Sequence, residues 1–394
     1  MINELITSKQ AATKLSVTRA GIDQLFLVAS VRSSSDALQT ARESYVQIAE
    51  VLREHQLEIV HERMFGSLSV EPFVMSVRND ALQTCGIHSN NPVTYIEGNP
   101  PWGEGYAGTI IRAVSPNKSS DVWTIMDGNH PCGRGWRRRE YTYLFLQNIN
   151  WKDDGSEKDE KRPLQVRLML DRAERILREN GASYSDVVRT WFYLSDILDW
   201  YATFNKARNE KYGEFGIMPG PGDRNLLLPA STGIRGDTPL GAAAMDLIAI
   251  IGEEGTRPEI KQLTNAAQLD AFRYGSAFSR GALIQDPGVS VIEVSGTAAI
   301  DWRGRSQSPD DIRGQISCTF EKIENLLGQE RAGLGDIAAA TVFVKRREHA
   351  SVFWEMARDH GLEDFPAVCV LADVCRDELL FEIDGQAVVN GGTK

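Results

Sequence analysis

The stretch ADVCRDELLFEID, residues 372–384, carries five acids, a cysteine and an arginine on a segment of strand character. Read with a period of two, Leu379, Phe381 and Ile383 share one face, and Glu378, Leu380, Glu382 and Asp384 share the other. A carboxyl on the second face has two fates. In bulk water it is an ordinary ionised acid. At a seam between packed layers, burial raises its pKa toward neutrality, and a carboxyl still protonated at pH 7 can serve as a general acid. Glu382 is the candidate for that role, and a salt bridge to an arginine across the seam is the competing reading.

The elements that must position Glu382 are legible from an internal repeat. ERILRENGASYSDVVRTWFYLSD (174–196) and ENLLGQERAGLGDIAAATVFVKR (324–346) align without a gap at an offset of 150. Each ends a helix, turns through Ala182 or Ala332, and enters an apolar strand (Trp191–Leu194, Thr341–Val344). Asp186 and Asp336 read as local capping or turn residues. A strand precedes each helix (VWTIMDGNHP, SVIEVSGTAAID); a second helix, a proline and two extended segments follow.

The order in each copy is roughly β-α-β-α-β-β, which predicts an α+β (α/β) fold of mixed sheets with helices on one face. Such a sheet leaves its other face uncovered, so tandem copies are expected to bury those faces against one another as an internal pseudo-trimer. A third, weaker copy opens the chain on element order alone. SPNKSS and EEGTRPE mark boundaries, giving units at 1–117, 118–255 and 256–394. KDDGSEKDEK (152–161) reads as a solvated loop.

Composition narrows the function. The chain has 394 residues and a formal net charge of −11, which disfavours nucleic acid or an anionic membrane as partner. The N-terminal stretch lacks a secretory pattern and no run is long enough to span a bilayer, so a cytoplasmic setting is expected. Five cysteines are too few and too odd in number for a disulfide scaffold. Cys85 with His88 and His130 with Cys132 lack the spacing of paired zinc knuckles, so no metal is expected. There is no phosphate-binding glycine loop and no G-x-S-x-G elbow. VSGTAA (294–299) reads as a strand end where Gly296 permits close backbone approach. The basic run GRGWRRRE (133–140) reads as a solvated hairpin.

The last two units resemble the Rid (YjgF) superfamily over about residues 120–390, through QISCTFEKIENLL, DIAAATVFVK and FEIDGQAVV. Rid deaminases carry P-A-R before the penultimate strands; here PAS (229–231) and PAV (366–368) lack both arginines. NKARNEKYGEFGI, LPASTGI, FRYGSAFSRGALI, VSGTAAI and ADVCRDELLFEID are similar, in the same order, to segments of the chorismatases. That resemblance implies cofactor-free cleavage of the enolpyruvyl ether of chorismate to pyruvate and a dihydrodiol or hydroxybenzoate. Glu382 then matches the acid that protonates the enol ether, and Cys375 the pocket cysteine of the subtype making 3-hydroxybenzoate.

A dianionic substrate needs cationic forks, which arginine supplies best. Arg280 and Arg376 adjoin the acid's region, and Arg208 is a third option; Gly281 belongs to the same segment as Arg280, and Tyr212 and Tyr274 are candidates to line the pocket. Two other functions stay open: a Rid-type imine or enamine deaminase acting on another small carboxylate, and a metabolite-binding protein without chemistry. The expected assembly is a monomer or a weak homo-oligomer.

Overall fold

A computed structural model describes residues 3–6, 13–33, 36–151, 161–218, 228–238, 241–253, 256, 259–286 and 288–390. Most of the acidic run 152–161, read as a solvated loop, lies outside them. The first unit runs β1 (Asn3–Ile6), β2 (Thr13–Ala20), β3 (Gln24–Val31), α1 (Ala37–Glu54), β4 (Glu58–Gly66), α2 (Glu71–Thr84), β5 (Thr94–Glu97) and β6 (Tyr106–Val114). The second runs β7 (Val122–Asp127), β8 (His130–Arg138), β9 (Tyr141–Ile149), α3 (Arg162–Glu179), β10 (Val187–Leu194), α4 (Ile197–Glu214), β11 (Ala230–Arg235) and β12 (Ala243–Gly252). The third runs β13 (Glu259–Leu263), β14 (Gly281–Asp286), β15 (Val289–Ala298), α5 (Ile312–Gly328), β16 (Ile337–Val344), α6 (Arg347–Asp359), β17 (Ala367–Leu371) and β18 (Phe381–Asn390).

The three six-stranded sheets have one strand order: β1-β2-β3-β6-β4-β5, β7-β8-β9-β12-β10-β11 and β13-β14-β15-β18-β16-β17. In each, the last pair is parallel (β4–β5, β10–β11, β16–β17) because a helix crosses between its strands. Three strands, not one, precede the first helix of each unit: VWTIMDGNHP of the second unit is the opening strand β7, whereas SVIEVSGTAAID of the third is β15, so the strands expected to correspond occupy different places in their sheets. Among the described residues no helix is long and apolar enough to cross a membrane.

Period-two alternation distributes side chains between two kinds of core. In the second unit Leu144, Leu146, Phe192 and Leu247 pack against α3 residues Val166, Met169, Leu170 and Ala173. Their strand neighbours Tyr143, Phe145, Trp191 and Ile248 point the other way, into a core shared with Phe26 and Val28 of the first unit and Ala339 and Phe343 of the third. With both faces covered, β10 and β16 are buried along their whole length and, apart from Arg189, Thr190 and Thr341, are apolar.

The turns entering these strands match the capping reading: Asp186 accepts from the Ser183 N–H at 2.8 Å and Asp336 from the Gly333 N–H at 2.9 Å.

Register locates the seams. Asp384 pairs with Thr341, Asp246 with Trp191 and Ile110 with Arg63, each two residues past the β-bulge of its strand, so the three positions are equivalent. Asp384 Oδ2 accepts from Arg189 Nη2 (3.0 Å), Trp191 Nε1 (2.8 Å) and Thr232 Oγ1 (2.9 Å), joining the third unit to the second. Asp246 accepts from Thr94 Oγ1 (2.6 Å) and the Asn148 N–H (2.8 Å) and pairs with His61 Nε2 (3.0 Å), joining the second to the first. Ile110 sits at the equivalent place in the central core, and the seam between the first and third units is bridged instead by the buried pair Arg112 and Glu293 (3.7 Å).

The basic run 133–140 is a correction. It is a hairpin, but Arg134 and Arg138 are buried: Arg134 bonds Glu58 (3.0 Å) and Arg138 bonds Asp23 (2.7 Å) of the first unit and pairs with Asp286 of the third. Alternation turns them inward, toward acids too distant in sequence to be foreseen.

A buried charge left without its partner is strongly destabilising. Asp384→Ala, which strips the acceptor from Arg189, Trp191 and Thr232, is expected to lower stability by roughly 3–5 kcal/mol, measured by urea unfolding. An unchanged midpoint would remove this carboxylate from the list of groups that hold the units together.

Candidate active site

β18 begins at Phe381, not at residue 372, and this changes the reading of its acidic face. Phe381 and Ile383 pack on the helix side with Phe353 and Ile316, whereas Leu379 lies in the central core. Glu378 is not on the strand; it is exposed in the preceding turn and accepts from Ser306 Oγ at 2.8 Å. Glu382 does occupy the helix-free face, directed at the second unit and 5% exposed.

The carboxyl lies against Gly296. A Cβ at 296 would stand 2.3 Å from Glu382 Oε1, so glycine is required there to admit a side chain, where the sequence reading had expected close backbone approach. Gly296 sits in the β-bulge of β15, between Val294 and Thr297, a device that re-aims strand residues next to functional sites. The bulge is tied to β11: the Ser231 N–H donates to Ser295 Oγ (2.8 Å) and the Gly296 N–H to Thr232 Oγ1 (3.1 Å).

A cavity of about 700 Å³ opens at this seam, walled by α4 and β11 on one side and by β15 and the approaches to β14 and β18 on the other. Glu382, Cys375, Arg280 and Arg376 all line it. Burial, with the negative charge of Asp384 adding to it, raises the Glu382 carboxyl to about 8; Arg280 and Arg189 pull the other way. Burial, and secondarily Glu382, pushes the Cys375 thiol up to about 12. At neutral pH the cavity thus holds a protonated carboxylic acid and a neutral thiol beside two guanidinium groups. Such a constellation can give a proton to a bound anion and stabilise the carboxylate that remains.

Arg280 is 3% exposed, with its guanidinium 5.4 Å from the Phe278 ring centre and Nη2 donating to Leu269 O. Arg376 Nη1 donates to Gly304 O (2.9 Å) and Ser306 Oγ (3.3 Å). Three other candidates do not line the cavity. Arg208, 1% exposed, is bonded to Asn205 Oδ1 (2.7 Å) and lies behind the wall, 5.6 Å from the Phe278 ring. Tyr212 is fully buried with its hydroxyl 3.4 Å from that of Tyr184. Gly281 opens β14, where a Cβ would come within 3.1 Å of Glu293 O. The Tyr274 side chain is outside the described residues, although Gly275 beside it lines the cavity.

The sequence reading missed the polar face of α4, including Tyr201, Lys206 and Asn209, and the loop residue Gln268. The helical period identifies that α4 face as uncovered by its own sheet, but gives no sign that the third unit closes over it.

Two curated proteins of Streptomyces hygroscopicus are similar to the chain. A chorismatase is 27% identical over 226 residues, 51% of this chain and 61% of that protein. A 3-hydroxybenzoate synthase is 27% identical over 239 residues, 53% of this chain and 65% of that protein. The match therefore spans somewhat less than two thirds of each relative. A crystal structure of a chorismatase superposes with a TM-score of 0.60 at 20% identity, covering 84% of this chain and 92% of that one. No protein-family model matches the chain. The chorismatase resemblance is borne out: the chain is chorismatase-like in sequence and shares that fold.

The raised Glu382 pKa has a stability consequence whose sign is fixed. Between about 4.5 and about 8 the folded state keeps a proton that the unfolded state releases, so stability falls as pH rises through that window. At pH 7 the loss is on the order of 3 kcal/mol. Glu382→Gln removes it, so the variant should unfold at a higher temperature than the parent at pH 7.5 and near parity at pH 5. A variant less stable at pH 7.5 would mean that Glu382 is an ionised partner in a seam salt bridge.

Proposed function

We propose that the chain is a cofactor-free hydrolase that cleaves the enolpyruvyl ether of chorismate. The observation carrying this reading is the Glu382 carboxyl, buried at the mouth of β18 with a pKa near 8, in a cavity that also presents Arg280 and Arg376. The likeness to a chorismatase and a 3-hydroxybenzoate synthase supports it.

Glu382 donates its proton to the terminal methylene carbon of the enol ether, and the ether carbon becomes an oxocarbenium ion. The carboxylate left behind is favoured by Arg280 and Arg189, the cations that already oppose its raised pKa. Water, or the ring hydroxyl, captures the cation and returns a proton to Glu382. With water as nucleophile the resulting hemiketal collapses to pyruvate and a dihydrodiol.

Arg280 and Arg376 hold the substrate carboxylates. Cys375, held neutral by burial and secondarily by Glu382, takes the place of the pocket cysteine of proteins that make 3-hydroxybenzoate. The deaminase reading draws no support from the geometry. Ser231 and Val368 stand where Rid deaminases place arginine; Ser231 Oγ accepts from Thr190 at 2.9 Å and Val368 is buried in the central core.

Incubation with chorismate should release pyruvate, followed with a coupled dehydrogenase; no release by the unsubstituted protein would overturn the assignment. Glu382→Gln keeps shape without a carboxylic proton and should lose about 100-fold or more in turnover. In the parent, turnover should fall as pH rises through about 8, where the acid deprotonates.

Substrate charge gives an independent check. Arg280→Met or Arg376→Met should weaken chorismate binding by about ten- to a hundredfold, the scale of one charge-assisted contact. Unchanged affinity in both variants would move the carboxylate site elsewhere.

A further inference from the structure

The charged side chains lining the cavity are Asp199, Lys206, Glu210, Arg280, Arg376 and Glu382. They differ in depth: Arg280 and Glu382 are buried, Arg376 is half-buried and Lys206 is exposed. They also differ in what holds them. The Arg280 guanidinium donates to Leu269 O and that of Arg376 to Gly304 O, so both are anchored to backbone. Asp199 is engaged by Arg162 (3.9 Å) and Glu210 by Arg167, and neither of those cations lines the cavity. Lys206 has no hydrogen bond or ion pair among the described residues.

The sequence of α4 places this lysine at the mouth. Leu198, Ala202, Lys206 and Glu210 recur every four residues and form one stripe along the cavity, with Tyr201, Asn205 and Asn209 beside it. A helical side chain leans back over the turn N-terminal to it, so the Lys206 stem is directed toward Ala202, whose single methyl group leaves it room. An exposed, flexible and strongly hydrated ammonium adds little to the stability of a bound complex. Its field reaches further than its contacts, since the Debye length is roughly 30 Å at about 0.01 M salt.

A dianion approaching this chain meets a formal net charge of −11. Long-range repulsion slows its association, and a positive mouth offsets that locally by focusing the field. With Asp199 and Glu210 engaged from outside the cavity, the cations run inward from Lys206 through Arg376 to Arg280 in order of increasing burial. We infer that Lys206 is the capture residue of the cavity: it draws the dianionic substrate to the mouth and passes it to Arg376 and Arg280, acting on the rate of association and not on the bound complex. This rests on the chorismate reading for the charge of the ligand and extends it to how the ligand enters.

The test follows chorismate association by stopped flow in the Glu382→Gln background, where turnover is suppressed. Tryptophan fluorescence supplies the signal, because Trp200 lies in the cavity wall. At about 0.01 M salt, Lys206→Met should lower the association rate constant about three- to tenfold and Lys206→Glu about ten- to a hundredfold, the scale of removing one and two unit charges from the path of a dianion. At about 1 M salt, where the Debye length is about 3 Å, the rates should converge. Dissociation should change by less than about twofold, as for other charges at a rim. Lys206→Arg keeps the charge and should keep the parent's rate and salt dependence. Because Lys206 is exposed, all three variants should unfold at the parent's temperature.

Unchanged association of Lys206→Glu at low salt would overturn the inference. So would a loss of equal size at both salt concentrations, which would mark a short-range contact. Salt-dependent capture without pyruvate release by the unsubstituted protein would sink the hydrolase assignment alone and leave the role of Lys206 standing. No chorismate binding by the unsubstituted protein would overturn both.

Discussion

Each six-stranded sheet is apolar on two faces, and its pair of helices covers only one. The uncovered faces of all three sheets meet in a single central core, where Phe26, Phe145, Trp191 and Phe343 pack across unit boundaries. Burial of this kind is non-directional and would allow the sheets to slide or rotate against one another. Directional contacts at the seams provide what it lacks. Asp384 gathers a guanidinium, an indole and a hydroxyl from the second unit, and Asp246 at the equivalent position gathers a hydroxyl, a backbone amide and an imidazole. The third seam has Ile110 there, and its ion pair, Arg112 with Glu293, lies on the neighbouring strand positions.

The same symmetry explains why one seam alone carries an acid two residues before this clamp. Glu382 pairs with Phe343, Ala244 with Tyr193 and Gly108 with Phe65, so these three positions are equivalent. At 108 a Cβ would clash with Ala29 O at 2.4 Å and with Val368, leaving no space for a side chain. At 382 the bulge of β15 and the bare Gly296 open the space that elsewhere is filled. A destabilising protonated acid is tolerable because the clamps and the central core supply the stability that this position withholds.

Much of this was legible in the sequence because it rests on local pattern. The ungapped offset of 150 carried the repeat, and apolar Phe381 and Ile383 on either side of Glu382 carried its orientation. What escaped depends on contacts between units. Arg134 and Arg138 look like surface cations until Glu58, Asp23 and Asp286 come into range. Arg208 and Tyr212 share the buried face of α4 with Phe204 and Ala207, so the helical period places them in the second unit's own core, away from the cavity. Gln268 has no periodic context, and its place in the cavity wall depends on where the loop is pinned.

Glu382 and Asp384 are two carboxyl groups on the same face of one strand, two residues apart, and their surroundings divide their functions. Asp384 Oδ2 accepts from three donors of the second unit, so this carboxyl belongs to the architecture. Glu382 is set against the bare backbone of Gly296, where burial works against its charge and the negative charge of Asp384 reinforces the effect. Arg280 and Arg189 limit the rise, and that limit matters for chemistry. A carboxyl raised much further would hold its proton too tightly to give it up, while one near its ordinary value would have lost it already at pH 7. Arg189 acts in both settings, since it binds Asp384 directly and also favours the charged form of Glu382. The interaction that fastens the third unit to the second therefore also contributes, after burial, to the proton affinity of the acid facing the cavity between them.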